Sequence, residues 1–232
     1  MKRLYNAFRK SPWLACKVVA DRMADWVEER RLNVHTAGLI PIETLMENWE
    51  GNHDYAPTSI RAFRVFLEHV DISPANDVLV DYGSGKGRVL VLAAHYPFRR
   101  VIGVEVAPAM VAAANENLRK AKLPVGHPEI QVWAGSAETF PVPNDVSVVY
   151  LSNPFRGRVL LGVLENLRES LAVRPRRLQL VYNNPFRFKR IAHNYPWLKP
   201  RKSFDFEKEC VIYEADAAVA ASSFAREVRE AV

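Results

Sequence analysis

Three glycines at alternate positions, with a carboxylate before them, form the first pattern in this chain that could do chemistry. Asp81 closes an apolar run, and Gly83, Gly85 and Gly87 follow it before a second apolar segment. Glycine has no Cβ, so its backbone can turn sharply and let a ligand approach closely. The helix start behind such a turn offers free N–H groups to an electron-rich ligand. The pattern therefore predicts a binding loop for a nucleotide-like cofactor.

The spacing of this turn and the acidic residue that follows it narrow the choice of ligand. A dinucleotide-binding turn reads G-x-G-x-x-G, whereas the glycines here read G-x-G-x-G, which is the wrong spacing for a pyrophosphate. The next apolar run ends in Glu105, about 20 residues past the turn, where a ribose-binding acid belongs. An ionised carboxylate only accepts hydrogen bonds, so Glu105 suits the two hydroxyls of an adenosine ribose. The alternative is an ordinary α/β domain with a glycine turn and a solvated glutamate.

The string from Asp81 to Gly87 resembles the first motif of class I S-adenosylmethionine-dependent methyltransferases, D-x-G-x-G-x-G, and the resemblance covers residues 34–214. It implies S-adenosylmethionine as the cofactor, with Gly83 and Gly85 along its methionine part and Glu105 on its ribose. The motif is silent about the methyl acceptor. The cofactor-binding residues that the resemblance implies in this region are Asp81, Gly83, Ser84, Gly85, Gly87 and Glu105.

Two further strings are similar to a narrower group within this family. Gly-Ser-Gly-Lys-Gly-Arg at 83–88, together with a later Asn-Pro-Phe, is similar to a bacterial subgroup of mostly uncharacterised methyltransferases. The first motif also loosely resembles that of protein-lysine methyltransferases with this fold. In the subgroup a Tyr-x-Pro-Thr/Ser element precedes the first strand, which implies that Tyr55 and Thr58 lie near the methionine end of the cofactor. A capping turn with a packed tyrosine is the alternative for these two residues.

The chain departs from the family pattern after the third predicted strand. The family usually reads Gly-Asp-Ala there, and the aspartate holds the adenine amino group. In this sequence Ser136 and Ala137 occupy those positions, so the resemblance implies adenine contact through them. A neutral hydroxyl makes a hydrogen bond about half as strong as a charged group does. Glu138 is the alternative partner for the adenine.

Asn153-Pro154-Phe155 follows the fourth predicted strand, where the family places a motif that borders the transferable methyl group. An asparagine carbonyl can accept a hydrogen bond from an amine while Phe155 packs on it. The string resembles, in shortened form, the Asn/Asp-Pro-Pro-aromatic motif of enzymes that methylate amino groups in DNA and proteins. The missing proline argues against adenine in nucleic acid. Asn153 and Phe155 are therefore the predicted catalytic residues, Asn153 also lies beside the cofactor, and Asn184 in a second Asn-Pro-Phe string is an alternative.

The elements that must position these residues alternate between strand and helix. We expect an α/β fold with a Rossmann-like seven-stranded, mostly parallel sheet, helices on both faces, a C-terminal antiparallel hairpin and a helical N-terminal extension. Strands are predicted at 77–82, 100–105, 129–133, 146–151, 177–182, 203–206 and 209–214, and helices at 60–70, 86–96, 108–121, 157–171 and 186–193. The predicted division is a helical extension at 1–52, a methyltransferase domain at 53–214 and an Ala-rich tail at 215–232, for which we expect a loose helix.

The net charge of +6 is concentrated in two segments, 1–20 and 171–204, which carry basic side chains and no acid. Such segments attract phosphates, nucleic acid or anionic lipid, and a solvated surface is the alternative. An amphipathic helix within 1–33 would lie on a membrane surface, grip an anionic partner, or pack on the domain. The two cysteines show neither metal nor disulfide spacing, and no apolar run is long enough to cross a membrane. We expect a cytoplasmic protein without a metal site.

Three classes of function follow from these patterns. The first is S-adenosylmethionine-dependent methyl transfer by in-line displacement to an unidentified acceptor, either a protein side chain or a small amine or acid. The second is methylation of nucleic acid, which the basic segments favour. The third is a non-catalytic protein that binds the cofactor or a partner. The sequence assigns no general base.

Overall fold

The computed structural model describes residues 12–47, 49–206 and 208–222. Within these residues seven strands form one sheet in the order β3-β2-β1-β4-β5-β7-β6. The first five strands run parallel to one another, whereas β7 is antiparallel to both β5 and β6. The predicted mostly parallel sheet with a C-terminal hairpin is therefore confirmed. The strands are β1 Val78–Tyr82, β2 Arg100–Glu105, β3 Glu129–Ala134, β4 Val146–Leu151, β5 Gln179–Asn183, β6 Leu198–Phe206 and β7 Lys208–Ala215.

Helices cover both faces of the sheet. Strands β1 and β4 are buried along their whole length, as expected for parallel strands that read as continuous apolar runs. One apolar cluster includes Leu164 and Trp197, and the other includes Phe63 and Leu90. The helices are α1 Pro12–Leu32, α2 Ile60–Leu67, α3 Arg88–Ala93, α4 Pro108–Lys120 and α5 Gly157–Val173.

Several predicted boundaries are wrong for identifiable reasons. The helix predicted at 86–96 is the shorter α3, because Gly87 is its N-cap at φ +79° and lies outside the helix. The helix predicted at 186–193 is two short 3-10 turns, Phe188–Arg190 and Ala192–Asn194. The hairpin strands are longer than predicted because β6 begins in a basic, exposed stretch that has little apolar alternation. Pro200 sits there at a register irregularity, as proline does on edge strands.

The N-terminal helix is joined to the sheet domain by buried charge. Arg88, at the start of α3, is 5% exposed. Its guanidinium binds Asp25 Oδ2 at 2.7 Å and Glu29 Oε1 at 2.9 Å, both on α1. It also donates to Thr36 Oγ1 at 2.7 Å. The second half of α1 therefore packs on the domain, while the part of the predicted extension at 1–11 lies outside the described residues.

Residues 217–222 are helical, and the rest of the predicted tail lies outside the described part of the chain. None of the helices found in the described ranges combines the length and the apolar character that a bilayer span requires. The predicted division at residues 52 and 214 stays a prediction.

Candidate active site

A cavity of about 420 Å³ opens at the carboxyl ends of β1, β2 and β4. Asp81 and Glu105 line it from the ends of the first two strands, and Asn153 lines it just after β4. In open α/β sheets, ligands bind outside the carboxyl ends of the strands. The volume is in the range of small-molecule sites in proteins.

Residues 49–58, here called the strap, form the opposite wall of this cavity. The strap runs along the loop after β4 through backbone hydrogen bonds: His53 N donates to Pro154 O at 2.9 Å, and Arg156 N donates to Gly51 O at 2.6 Å. Thr58, at its end, shares hydrogen bonds with Tyr150 Oη at 2.8 Å and Ser152 Oγ at 2.9 Å. The strap is therefore attached to the loop that carries the Asn-Pro-Phe string and forms one wall of the cavity.

The glycine turn is packed by protein on the side where a Cβ would project. A Cβ on Gly83 would lie 2.4 Å from Pro154 Cβ, and one on Gly85 would lie 2.3 Å from Tyr55 Cε2. Both glycines have positive φ, +76° and +53°, which side chains rarely adopt. We expected the missing Cβ atoms to leave room for a ligand, but the loop after β4 and the strap fill that room. The turn therefore joins the two walls of the cavity.

Two buried carboxylates form what we call the acidic half of the cavity. Asp81 is 3% exposed and Glu105 is 9% exposed. Glu105 Oε2 accepts a hydrogen bond from Gly85 N at 2.8 Å, and its Oε1 accepts from Val106 N at 3.0 Å and Ala107 N at 2.9 Å. Burial raises the pKa of Glu105, although these three N–H groups lower it in part. Burial, and then the charge of Glu105, raises the pKa of Asp81 well above its usual range. The acidic half can thus bind hydroxyl donors and a positively charged group.

Two buried polar atoms of the cavity-lining residues have no hydrogen-bond partner within the described residues. They are Ser84 Oγ, in the glycine turn, and Asn153 Oδ1. Buried polar groups in native proteins are nearly always paired. These atoms therefore indicate where a ligand supplies the missing partners.

The structure brings most of the predicted site residues together. Gly85, Gly87 and Ser136 are described but do not line the cavity. Glu138, the alternative adenine partner, does not line it either, since it binds Arg158 at 3.1 Å on the outer surface of α5. The predicted residues that do line the cavity are Tyr55, Thr58, Asp81, Gly83, Ser84, Glu105, Ala137, Asn153 and Phe155.

Beyond Asn153 the cavity is lined by residues that sequence reasoning missed, here called the basic half: His53, Arg156 and Arg187. Asn153 has φ +49°, and its carbonyl O lies 2.8 Å from His53 Nδ1. Phe155, the other predicted catalytic residue, is 2% exposed and packs edge-on against Tyr82, so it shapes the wall. Arg187 lies in the basic segment 171–204 that the sequence predicts to attract anions, but no sequence pattern joins it to His53 or Arg156, which come from two other segments.

The electrostatics of the basic half are opposite to those of the acidic half. Burial is the largest influence on His53 and lowers its pKa, and the positive charges of Arg187 and Arg156 lower it further. The carbonyl of Asn153 and the charge of Asp54 act in the other direction. Within the described ranges no group of three or more His, Cys, Asp or Glu side chains is arranged to hold a metal ion.

Residues 79–172, which supply the acidic half, the Asn-Pro-Phe string and most of α5, match a family model described as a methyltransferase domain. The chain carries a methyltransferase domain. No curated protein matches the chain. The matched segment confirms the predicted methyltransferase class.

Solved structures of similar fold agree with this assignment. A SAM-dependent methyltransferase from Aquifex aeolicus aligns with 70% of this chain and 100% of its own, at 15% identity and a TM-score of 0.54. The StiE O-MT segment 961–1257 aligns with 74% of this chain and 81% of its own, at 12% identity and a TM-score of 0.51. An RNA methyltransferase from Salinibacter ruber, solved with S-adenosyl-L-homocysteine, aligns with 69% of this chain and 92% of its own, at 23% identity and a TM-score of 0.45. The first two of these likenesses, with TM-scores above 0.5, show the fold of the sheet domain.

S-adenosylmethionine is the cofactor that the domain match and the fold support. The residues of the methyltransferase domain fit it. The acidic half offers carboxylates to ribose hydroxyls and to a sulfonium cation, and the unpartnered Ser84 Oγ and Asn153 Oδ1 are within the same cavity.

Proposed function

We propose that this protein transfers a methyl group from S-adenosylmethionine, by in-line displacement, to a protein side chain or a small amine or acid. The observation that carries the proposal is the acidic half: two carboxylates buried side by side at the carboxyl edge of the sheet. A buried charge is costly unless it is paired. A ligand with hydroxyl donors and a positive centre satisfies both carboxylates.

The proposed roles of the chain's residues follow from their places in the cavity. Glu105 holds the ribose, Asp81 and Ser84 face the methionine part, and Ala137 borders the adenine. When bound, the cofactor supplies a methyl group that is already activated by its sulfonium. The protein contributes alignment and the exclusion of water, and good positioning alone lowers such a barrier by about 7–11 kcal/mol.

Calorimetric titration with S-adenosylmethionine and S-adenosylhomocysteine tests this proposal directly. We expect saturable binding that Glu105→Gln weakens by about tenfold or more, because hydrogen bonds to a charged group contribute about 1.5–3 kcal/mol. Glu68→Gln is the matched control, since Glu68 is an exposed glutamate at the end of α2. Absence of binding at millimolar cofactor to the folded wild-type protein would overturn the proposal.

The alternative of a nucleic-acid substrate loses support from the second basic segment. Arg176 in this segment donates to the carbonyls of Val146 and Ser170, and other members are in ion pairs on the domain surface. Charges that are already neutralised attract phosphates less. The ion pairs are Arg177–Asp77, Lys189–Glu209, Lys199–Asp216 and Arg201–Asp71. We therefore do not adopt this alternative.

A further inference from the structure

We propose that the basic half is the acceptor site, and that it takes an acceptor with an anionic group, phosphate or carboxylate, beside the N–H or O–H that is methylated. In this proposal Arg156 and Arg187 bind the anionic group, and His53 Nε2 receives the proton of the methylated atom. The inference rests on the proposed function, because it places the acceptor opposite the cofactor.

The charges of the basic half are available to a ligand. Arg156 precedes α5 and Arg187 follows β5, and both are exposed at the cavity. Neither forms an ion pair in the part of the chain that the structure describes, whereas Arg177 and Arg201, in the same basic segment as Arg187, are both paired with aspartates. Arginine presents a planar fork of donors that matches carboxylate and phosphate oxygens. An anion is the chemistry that this pair fits.

The basic half also lies where the second substrate belongs. Glu105 ends β2, and Arg187 follows β5. Three strand spacings separate β2 from β5 in the sheet order, which corresponds to about 14 Å. A cofactor on Glu105 that extends past Asp81 toward Asn153 therefore points its reactive end to the basic half.

The position of His53 determines which nitrogen can take a proton. Nδ1 lies 2.8 Å from the carbonyl O of Asn153, and a carbonyl only accepts, so Nδ1 carries the hydrogen and donates it. Nε2 then keeps its lone pair as long as the ring is neutral. Burial and the charges of Arg187 and Arg156 favour the neutral ring, against the hydrogen bond to the Asn153 carbonyl and the charge of Asp54, and the pKa of His53 is lowered on balance. His53 is thus arranged as a proton acceptor.

Asn153 completes the acceptor site. Its Oδ1 is buried without a partner in the described chain, and an amide oxygen has two lone pairs for donors. An N–H of the acceptor, or of a group next to the methylated atom, can donate to it. The same residue therefore orients both His53, through its main chain, and the acceptor, through its side chain.

The transfer balances with the groups named. The lone pair of the acceptor atom forms a bond to the methyl carbon, and the carbon–sulfur bond breaks with its electron pair staying on sulfur. The acceptor atom loses its proton to His53 Nε2, and the resulting imidazolium returns that proton to solvent. No oxidant or other co-reactant is needed.

Nitrogen-15 spectra of the histidine side chains test the role of His53 without an identified acceptor. The His53 signals are assigned by their loss in His53→Asn, and the protein is saturated with S-adenosylhomocysteine. We expect a neutral ring at neutral pH with hydrogen on Nδ1 and a bare Nε2. Hydrogen on Nε2, or a ring that is protonated at neutral pH, would overturn the assignment of His53 as proton acceptor.

Titration of the same sample with inorganic phosphate and with malonate, against chloride at equal ionic strength, tests the anion site. We expect saturable binding of at least one probe that raises the pKa of His53, because a nearby negative charge stabilises imidazolium. Arg156→Gln and Arg187→Gln should each weaken this binding by about tenfold. Arg190→Gln is the matched control, because Arg190 is exposed in the same loop, stacks over Phe186 and does not line the cavity.

The outcomes separate this inference from the proposed function. Tighter phosphate binding indicates a phosphorylated acceptor, and tighter malonate binding indicates a carboxylate. If S-adenosylhomocysteine binds but phosphate and malonate change the His53 signals no more than chloride does, the proposed anion site is overturned. Failure of S-adenosylhomocysteine to bind would instead contradict the proposed function.

Discussion

The two halves of the cavity differ in charge, in burial and in how their charges are stabilised. In the acidic half Glu105 is almost fully buried and receives three backbone hydrogen bonds. In the basic half Arg156 and Arg187 are exposed, and only His53 is held by a hydrogen bond to the main chain. A half that is pre-organised by its own backbone suits a ligand that never changes, such as a cofactor. The open half suits a second substrate that must enter and leave.

The buried arginine of the cavity wall, Arg88, should show the largest effect on the unfolding free energy. Arg88→Met removes the partner of two carboxylates and leaves Glu29 buried and Asp25 partly buried without it. Breaking a buried ion pair in this way costs about 3–5 kcal/mol of unfolding free energy. Urea denaturation measures it, with Arg187→Met as the control from the basic half. We expect the control to stay within about 0.5 kcal/mol of wild type, as exposed substitutions do.

If Arg88→Met lowered the unfolding free energy by less than about 1 kcal/mol, the ion pairs of Arg88 would contribute no more than surface ion pairs do. The ion pairs that join α1 to Arg88 would then contribute little to the unfolding free energy. The contrast between a buried, paired arginine and an exposed, unpaired one would fail.

A substitution in the glycine turn should cause the next largest loss of unfolding free energy. Gly85→Ala adds a Cβ that meets the Tyr55 ring at 2.3 Å, in a backbone conformation with φ +53°. Left-handed backbone costs about 1–2 kcal/mol and overpacking about 1–3 kcal/mol. We expect a total loss of roughly 2–5 kcal/mol in unfolding free energy.

A double-mutant cycle with Tyr55→Ala sharpens the cause of this loss. The double variant should lose less than the sum of the two single variants, because removal of the ring relieves the contact. Strict additivity would show that only the backbone conformation matters. In that case the packing of the turn against the strap would not determine the need for glycine.

A substitution of Asp81 should have a smaller effect on the unfolding free energy and should increase it. Its pKa is raised in the folded protein, so its stabilising contribution is present at low pH and is lost as pH rises through that raised value. Asp81→Asn should therefore make the unliganded protein more stable above neutral pH by about 0.5–2 kcal/mol. The advantage should shrink as the pH falls, because wild-type Asp81 then takes up its proton.

Cofactor binding provides the second readout for Asp81. The wild-type affinity for S-adenosylhomocysteine should fall as the pH is lowered and Asp81 becomes protonated, and Asp81→Asn should remove much of this dependence. Thermal denaturation and calorimetry at a series of pH values measure the two effects. A variant that is less stable at every pH would contradict the cost assigned to the buried charge.

Local patterns were enough to predict the acidic half and the sheet that carries it. Asp81 and Glu105 lie on adjacent strands, and each is recognisable from an apolar run that ends in a carboxylate. Apolar spacing alone predicts a helix where the structure has 3-10 turns at 188–194, because such spacing cannot distinguish a packed turn from a short helix.

The basic half and the strap were not predictable in the same way. His53 lies about a hundred residues before its hydrogen-bond partner, and no periodic pattern reports such a contact. The same holds for Arg88, whose carboxylate partners lie in a helix that the sequence treats as a separate extension.

The sequence by itself determined the alternation of strands and helices, the glycine turn and the two carboxylates, because each depends on residues that are close together in the chain. Only the tertiary structure decided that Pro154 and Tyr55 fill the space beside the glycines and that the strap forms a wall of the cavity. It also decided that His53, Arg156 and Arg187 share one end of it. These arrangements depend on which loops contact one another at the carboxyl edge of the sheet. Strand order and packing across that edge determine those contacts.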